Sequence, residues 1–132
     1  MKKLLLLFVS ILFIGCSDDD SNSVNSGIYN PPDWIQGTWG MAETEFTNEV
    51  AYFKFTSDDI CQLTSLSSVC WKEMAQNYQT SGVELNTDEE ITSDYYEATI
   101  GASGVNNTLK FERISATKII WLSGNFELIK LD

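Results

Sequence analysis

Two hydrophobic patterns divide this chain. Residues 4–14 are apolar apart from Ser10 and follow Lys2 and Lys3. As a helix that run would rise about 16 Å, roughly half of a 30 Å hydrocarbon core, so it fits the apolar segment of an export signal and is too short to span. Residues 17–32 are polar, with Val24, Ile28 and Tyr29 as the only large apolar side chains. They read as a flexible tether reaching roughly 20–24 Å. Pro31-Pro32 stiffens its end. From residue 37 onward the pattern changes to short runs of strand formers over 37–47, 50–56, 60–63, 83–86, 95–100, 108–114, 118–122 and 126–131. Turn residues separate them, and the last three runs lie close enough to form an antiparallel meander. One segment breaks the alternation. Leu66, Cys70, Met74 and Tyr78 recur every four residues, which predicts a helix over 67–79 capped by Ser67 or Ser68, with a long irregular loop as the alternative. The expectation is an all-β domain over 33–132, preceded by an export signal over 1–15 and a tether over 16–32.

Composition narrows the chemistry. A length of 132 residues allows one domain and no second core. The chain contains no His, which removes imidazole-dependent nucleophile pairs and most catalytic zinc sites. Lys and Arg number 8 against 19 Asp and Glu, for a net charge of −11, and phosphate contacts need the opposite sign, so nucleic acid is not an expected partner. Carboxylates work as acid and base without imidazole. The candidates are Asp58, Asp59, Glu89, Glu90 and Asp94, which fall mostly in predicted turns, where solvated carboxylates are the norm. The acidic run from Asp88 to Asp94 lacks the spacing and glycine of a calcium loop. We therefore expect no enzyme activity, no cofactor and no metal.

The apolar run ends in Leu12-Phe13-Ile14-Gly15-Cys16. This resembles the lipobox of bacterial lipoproteins, in which a small residue precedes the Cys that is acylated and becomes the mature N-terminus. The resemblance implies a diacylglycerol and an N-acyl chain on Cys16, and two or more chains anchor firmly. The following Ser17-Asp18-Asp19-Asp20 resembles the signal that sends lipoproteins of certain Gram-negative bacteria to the outer leaflet. Outer-membrane anchoring with exposure at the cell surface is expected, with a periplasm-facing anchor as the alternative. With Cys16 acylated, Cys61 and Cys70 remain as an even pair in an oxidising compartment, and a disulfide follows. The spacing is not that of a C-x-x-C redox motif.

The stretch Pro31-Pro32-Asp33-Trp34-Ile35-Gln36-Gly37-Thr38-Trp39 resembles the opening of a lipocalin-like (calycin-type) β-barrel, where a helical turn leads into a first strand carrying Gly-x-Trp. Together with an ending like Thr117-Lys118-Ile119-Ile120-Trp121, the chain resembles small bacterial lipoproteins with such a domain over residues 29–131. The resemblance implies an up-and-down antiparallel barrel of about eight strands. Its signature residues would be Gly37, Trp39 and Arg113, with a basic side chain, Arg113 or Lys130, stacked on Trp39. It also implies a small apolar ligand or a glycan at the barrel mouth or on an aromatic face near Trp71, Tyr95 and Tyr96. Adjacent Tyr95 and Tyr96 must point to opposite faces of a strand. Charge suggests another class, an acidic module that captures a basic protein such as a cationic lysozyme. A third is an accessory subunit of an outer-membrane complex.

Overall fold

The computed structural model describes residues 28–132. The export signal, Cys16 and most of the tether lie outside the described residues. Nine strands and one helix follow one another: β1 Gly37–Met41, β2 Val50–Phe55, β3 Ile60–Leu63, β4 Ser68–Cys70, α1 Trp71–Thr80, β5 Leu85–Ile91, β6 Tyr95–Ala102, β7 Val105–Arg113, β8 Lys118–Trp121 and β9 Phe126–Lys130. They form a single antiparallel sheet in the order β4-β3-β2-β1-β9-β8-β7-β6-β5. The sheet curls through 272° into an open half-barrel. The closed barrel of about eight strands is thus replaced by nine strands with two free edges. Closure fails between β4 and β5, because α1 follows β4 and occupies the seam, touching β3 and β4 on one side and β5 and β6 on the other.

Alternation along the strands places one face inward. Trp39, Phe53, Phe55, Ile60, Tyr96, Ala98, Ile100, Leu109, Phe111, Ile119 and Leu128 are all buried. The interior is built largely from aromatic rings in edge-on contact. Phe111 meets Phe53 and Phe55 at 5.0 and 5.1 Å, and Phe53 meets Trp121 at 5.0 Å. Such pairs add about 0.5–1.5 kcal/mol each beyond area burial.

The helix begins at Trp71, four residues later than the periodicity predicts. Ser68–Cys70 pairs with β3 instead, with Cys70 opposite Cys61, and the Cys61–Cys70 disulfide joins them at a Cα separation of 4.0 Å. Ser67, the expected cap, closes the β3–β4 turn against Thr64. The helix cap comes from elsewhere: Asp59 Oδ1 accepts from the backbone N–H of Lys72 at 2.9 Å and of Ile60 at 2.8 Å. Strand β5 also runs on through the acidic stretch read as a loop, since its acids Asp88 and Glu90 sit on the outer, exposed face. Between β6 and β7, Ser103 and Gly104 both have positive φ, as a two-residue type I′ hairpin requires.

Candidate functional site

The two ends of the half-barrel differ in kind. One end carries the β2–β3, β5–β6 and β7–β8 connections, the C-terminus and the segment 28–36 that leads into β1. We call it the closed end, because that segment contributes the fully buried Tyr29 and Ile35 there, next to the buried Trp39 of β1. The Trp39 indole N–H donates to the Ile35 carbonyl at 2.6 Å. Gly37 takes φ +122°, and a Cβ there would lie 2.6 Å from Lys130 Cε. The glycine lets Lys130 cross to Trp39, and its ammonium stands 5.8 Å from the ring centroid. Lys130 is therefore the basic partner of Trp39. Arg113 lies over a different ring, Trp34, at 5.9 Å, so Gly37 and Trp39 come together and Arg113 stands apart from them. The Asp132 carboxylate accepts from the Thr38 backbone N–H at 2.7 Å and from its hydroxyl at 2.8 Å. Those bonds, the backbone one foremost, hold its pKa below the ordinary value.

The aromatic residues proposed for a ligand face do not share a surface. Trp71 and Tyr96 are fully buried. Trp71 packs edge-on to Tyr29 at 5.3 Å. The Tyr96 hydroxyl donates to Glu89 Oε1 at 2.6 Å, and burial first, then that bond, raises its pKa. Tyr95 points outward, as adjacent strand residues must. Its hydroxyl donates to Glu97, which lifts its pKa to about 12. Glu97 also pairs with Lys110 at 3.0 Å, and the tyrosine hydroxyl and the lysine together lower its pKa.

One residue here was not assigned to the domain by the hydrophobic pattern, and the candidate carboxylate Glu89 holds its segment in place. Tyr29 falls inside the expected tether yet is fully buried, and its hydroxyl donates to the Thr99 carbonyl at 2.7 Å. Burial foremost raises its pKa. Glu89 ties the same segment down by accepting from the Asn30 N–H at 2.8 Å. The signal was Tyr29 itself, a large ring in a polar stretch.

Of the remaining candidate carboxylates, Asp58, Asp59 and Asp94 have structural partners, while Glu90 is exposed on the outer face of β5. Asp58 pairs with Lys72, whose ammonium lowers its pKa. Asp59 caps α1, and Asp94 accepts from the Thr92 hydroxyl at 3.0 Å. Asp59, Cys61 and Cys70 approach one another as metal ligands would, but the two sulfurs are bonded to each other. Clefts lined by the described residues open on the surface. One of about 380 Å³ lies between the start of β5 and the β6–β7 hairpin. Another, of about 130 Å³, lies between Met74, Tyr78 and Ile100. None of these is lined by Trp39, Phe55, Tyr96 or Phe111.

The open end carries the connections 42–49, 64–67, 81–84, 103–104 and 122–125. Its exposed large apolar side chains include Phe46 at 92%, Leu66 at 96% and Val105 at 76% relative exposure. The same connections hold Glu43, Glu45, Glu49 and Glu84, all exposed, and no Lys or Arg. None of these glutamates has an ion-pair partner among the described residues. Comparison with models of known protein families, with curated proteins and with solved structures gives no match to this chain.

Proposed function

We propose that this protein is a non-enzymatic, lipid-anchored binding module, its half-barrel of lipocalin-like type, and that its ligand is a basic protein. The single observation carrying the reading is the pairing of an inward face packed with aromatic rings with an open end whose connections carry four glutamates and no Lys or Arg. Ligand pockets for small molecules run to about 300–1,000 Å³ and bury most of the ligand. Here buried aromatic rings line the inward face, and the clefts of about 380, 380 and 130 Å³ lie on the surface beside hairpin ends and α1, lined by none of those rings. This weighs against a small apolar ligand. A glycan platform needs exposed rings, and Trp71 and Tyr96 are buried. The lipocalin-like type draws support from Gly37-Thr38-Trp39 with Lys130 stacked on the ring.

The anchor reading rests on Cys16 and its flanks. It places the domain outside the cytosol, on the outer membrane and exposed at the cell surface. Loss of residues 1–15 takes two lysines with it, leaving six basic groups against 19 acids. Such a surface repels anionic lipid and steers cationic partners toward it.

The test is titration of the full chain with lysozyme and with cytochrome c. Salt is set at about 0.01 M, where the Debye length is about 30 Å, and at about 0.15 M, where it is about 8 Å. Association that weakens and slows at the higher salt is the expected result. Absent or salt-insensitive binding would refute the reading. Labelled palmitate incorporated by the wild type and lost in Cys16→Ala tests the anchor, and protease accessibility on intact cells tests the leaflet.

A further inference from the structure

Four hairpin turns in this protein share one build. In Thr44-Glu45-Phe46-Thr47, Thr56-Ser57-Asp58-Asp59, Thr64-Ser65-Leu66-Ser67 and Thr92-Ser93-Asp94-Tyr95, the leading Thr N–H donates to the carbonyl three residues on, at 2.8, 3.0, 2.8 and 2.8 Å. In each, the Thr hydroxyl oxygen also accepts from the N–H of the third residue, at 3.2, 3.4, 3.3 and 3.3 Å. The third position is where the four divide. At the closed end it is Asp58 and Asp94. At the open end it is Phe46 and Leu66, the two most exposed large apolar side chains among the described residues. The turn itself therefore does not call for an apolar residue there, and neither side chain contributes to the core.

We propose that Phe46 and Leu66 are paired docking anchors, rigidly presented by their threonine turns, for a cationic protein surface that bears apolar side chains among Lys and Arg. The proposal rests on the basic-protein reading above and adds the surface and the chemistry. Three observations select that occupant. Glu43, Glu45 and Glu49 flank Phe46 in the same exposed connection, and no Lys or Arg occurs in the open-end connections, so the electrostatic complement is cationic. A second copy would bring those acids against each other, and an anionic bilayer would repel them. The described chain begins at the closed end, where Tyr29 and Asn30 are pinned to β6 and β5, and the anchors stand in connections at the opposite end. Hydrogen-bonded turns also reduce the ordering cost that a mobile loop would incur on binding.

The experiment compares the full-length wild type with F46D/L66D and E43Q/E45Q/E49Q, titrated with lysozyme and cytochrome c at fixed salt. Asp is the residue the same turn carries at the closed end, so the first variant keeps its fold, which circular dichroism checks. It also adds negative charge. Docking through the anchors predicts affinity weakened about tenfold or more, whereas capture by charge alone predicts unchanged or tighter binding and would overturn the proposal while leaving the basic-protein reading intact. The second variant is expected to lower the association rate about tenfold and flatten its salt dependence. If the wild type binds neither probe, the underlying reading fails and this surface with it. Self-association in sedimentation, or flotation with phosphatidylcholine vesicles, that is present in the wild type and lost in F46D/L66D would assign the anchors to another occupant and overturn the proposal.

Discussion

Replacing both bridged cysteines in C61A/C70A tests how the β4 edge is held. The disulfide closes a ring between residues nine apart in sequence, and the chain-entropy model gives that ring about 2.7 kcal/mol. The same edge has little else: β4 is three residues long and pairs with β3 through three residue pairs. Its last residue, Cys70, is also the N-cap of α1 and makes no side-chain cap bond. Losing the bridge should therefore cost the full ring contribution globally and free β4 and the first turn of α1 locally. For a domain of this size, 2.7 kcal/mol lowers Tm by about 10–20 °C. It moves a urea midpoint by about 1–2 M at typical slopes. The slope should rise as well, because an uncrosslinked unfolded chain exposes more surface. Urea unfolding followed by tryptophan fluorescence, with amide hydrogen exchange on the native state, measures both parts. A loss below about 1 kcal/mol, or exchange that rises evenly through the sheet rather than first in β4 and α1, would refute the reasoning.

Three further outcomes follow from single contacts. Lys130→Met keeps the aliphatic stem over Trp39 and removes the charge 5.8 Å from the ring, so stability should fall by about 0.5–1 kcal/mol in urea unfolding; an unchanged midpoint would show that the ammonium contributes nothing. Tyr29→Ala should cost about 3–5 kcal/mol, as for other large buried rings, whereas a domain beginning at Pro31 would lose nothing. The pH dependence has a definite sign on each side. Unfolded tyrosines ionise near 10, while Tyr95 stays protonated to about 12 and buried Tyr29 and Tyr96 are raised too. Stability is therefore intact below pH 10 and lost as pH rises through the folded values. Asp58, Glu97 and Asp132 are lowered, so their contribution is present above the ordinary carboxylate range and lost as pH falls through it. Thermal unfolding across pH 2–12 should give a plateau falling at both ends, and constant Tm above pH 10 would contradict the tyrosine part.

Strands with a buried inner face were legible because alternation reports burial directly. In β2 and β7 the buried residues Phe53 and Phe55, and Leu109 and Phe111, recur at every second position inside the expected strand ranges. The cysteine pairing was legible for a different reason, since the sequence sets Cys16 apart at the end of its apolar run and leaves two cysteines with one possible partner each. Strand β4 was not legible. Its Ser68-Val69-Cys70 is too short to alternate, and the four-residue spacing that runs through Cys70 belongs equally to the helix that follows. The acidic half of β5 was hidden because its charged residues face solvent on an edge strand, where a loop carries the same composition. Tyr29 was obscured by its polar neighbours. The anchors Phe46 and Leu66 were hidden by the opposite problem: in a sequence an apolar residue counts toward the core, and only the structure shows these two standing outside it.

The seam between β4 and β5 explains why a short helix interrupts a run of strands. Nine strands make eight steps, so a curl of 272° turns about 34° per step, and the remaining arc spans about 12 Å at the usual inter-strand spacing of 4.8 Å. An α-helix with its side chains is about 10–12 Å across. One helix therefore fills the gap that two more strands would otherwise have to close. Its buried Trp71 and Ala75 complete the core there, and Tyr29 meets Trp71 from the other side. Filling the seam with a helix needs no register match across the join, whereas a closed barrel must satisfy strand tilt and shear all the way round. It also leaves Asp88 and Glu90 on the outer face of β5, where charge discourages edge-to-edge pairing between copies. Among the described residues the inward face is filled by packed aromatic rings, and that is the physical reason binding is proposed at the hairpin tips rather than in the interior.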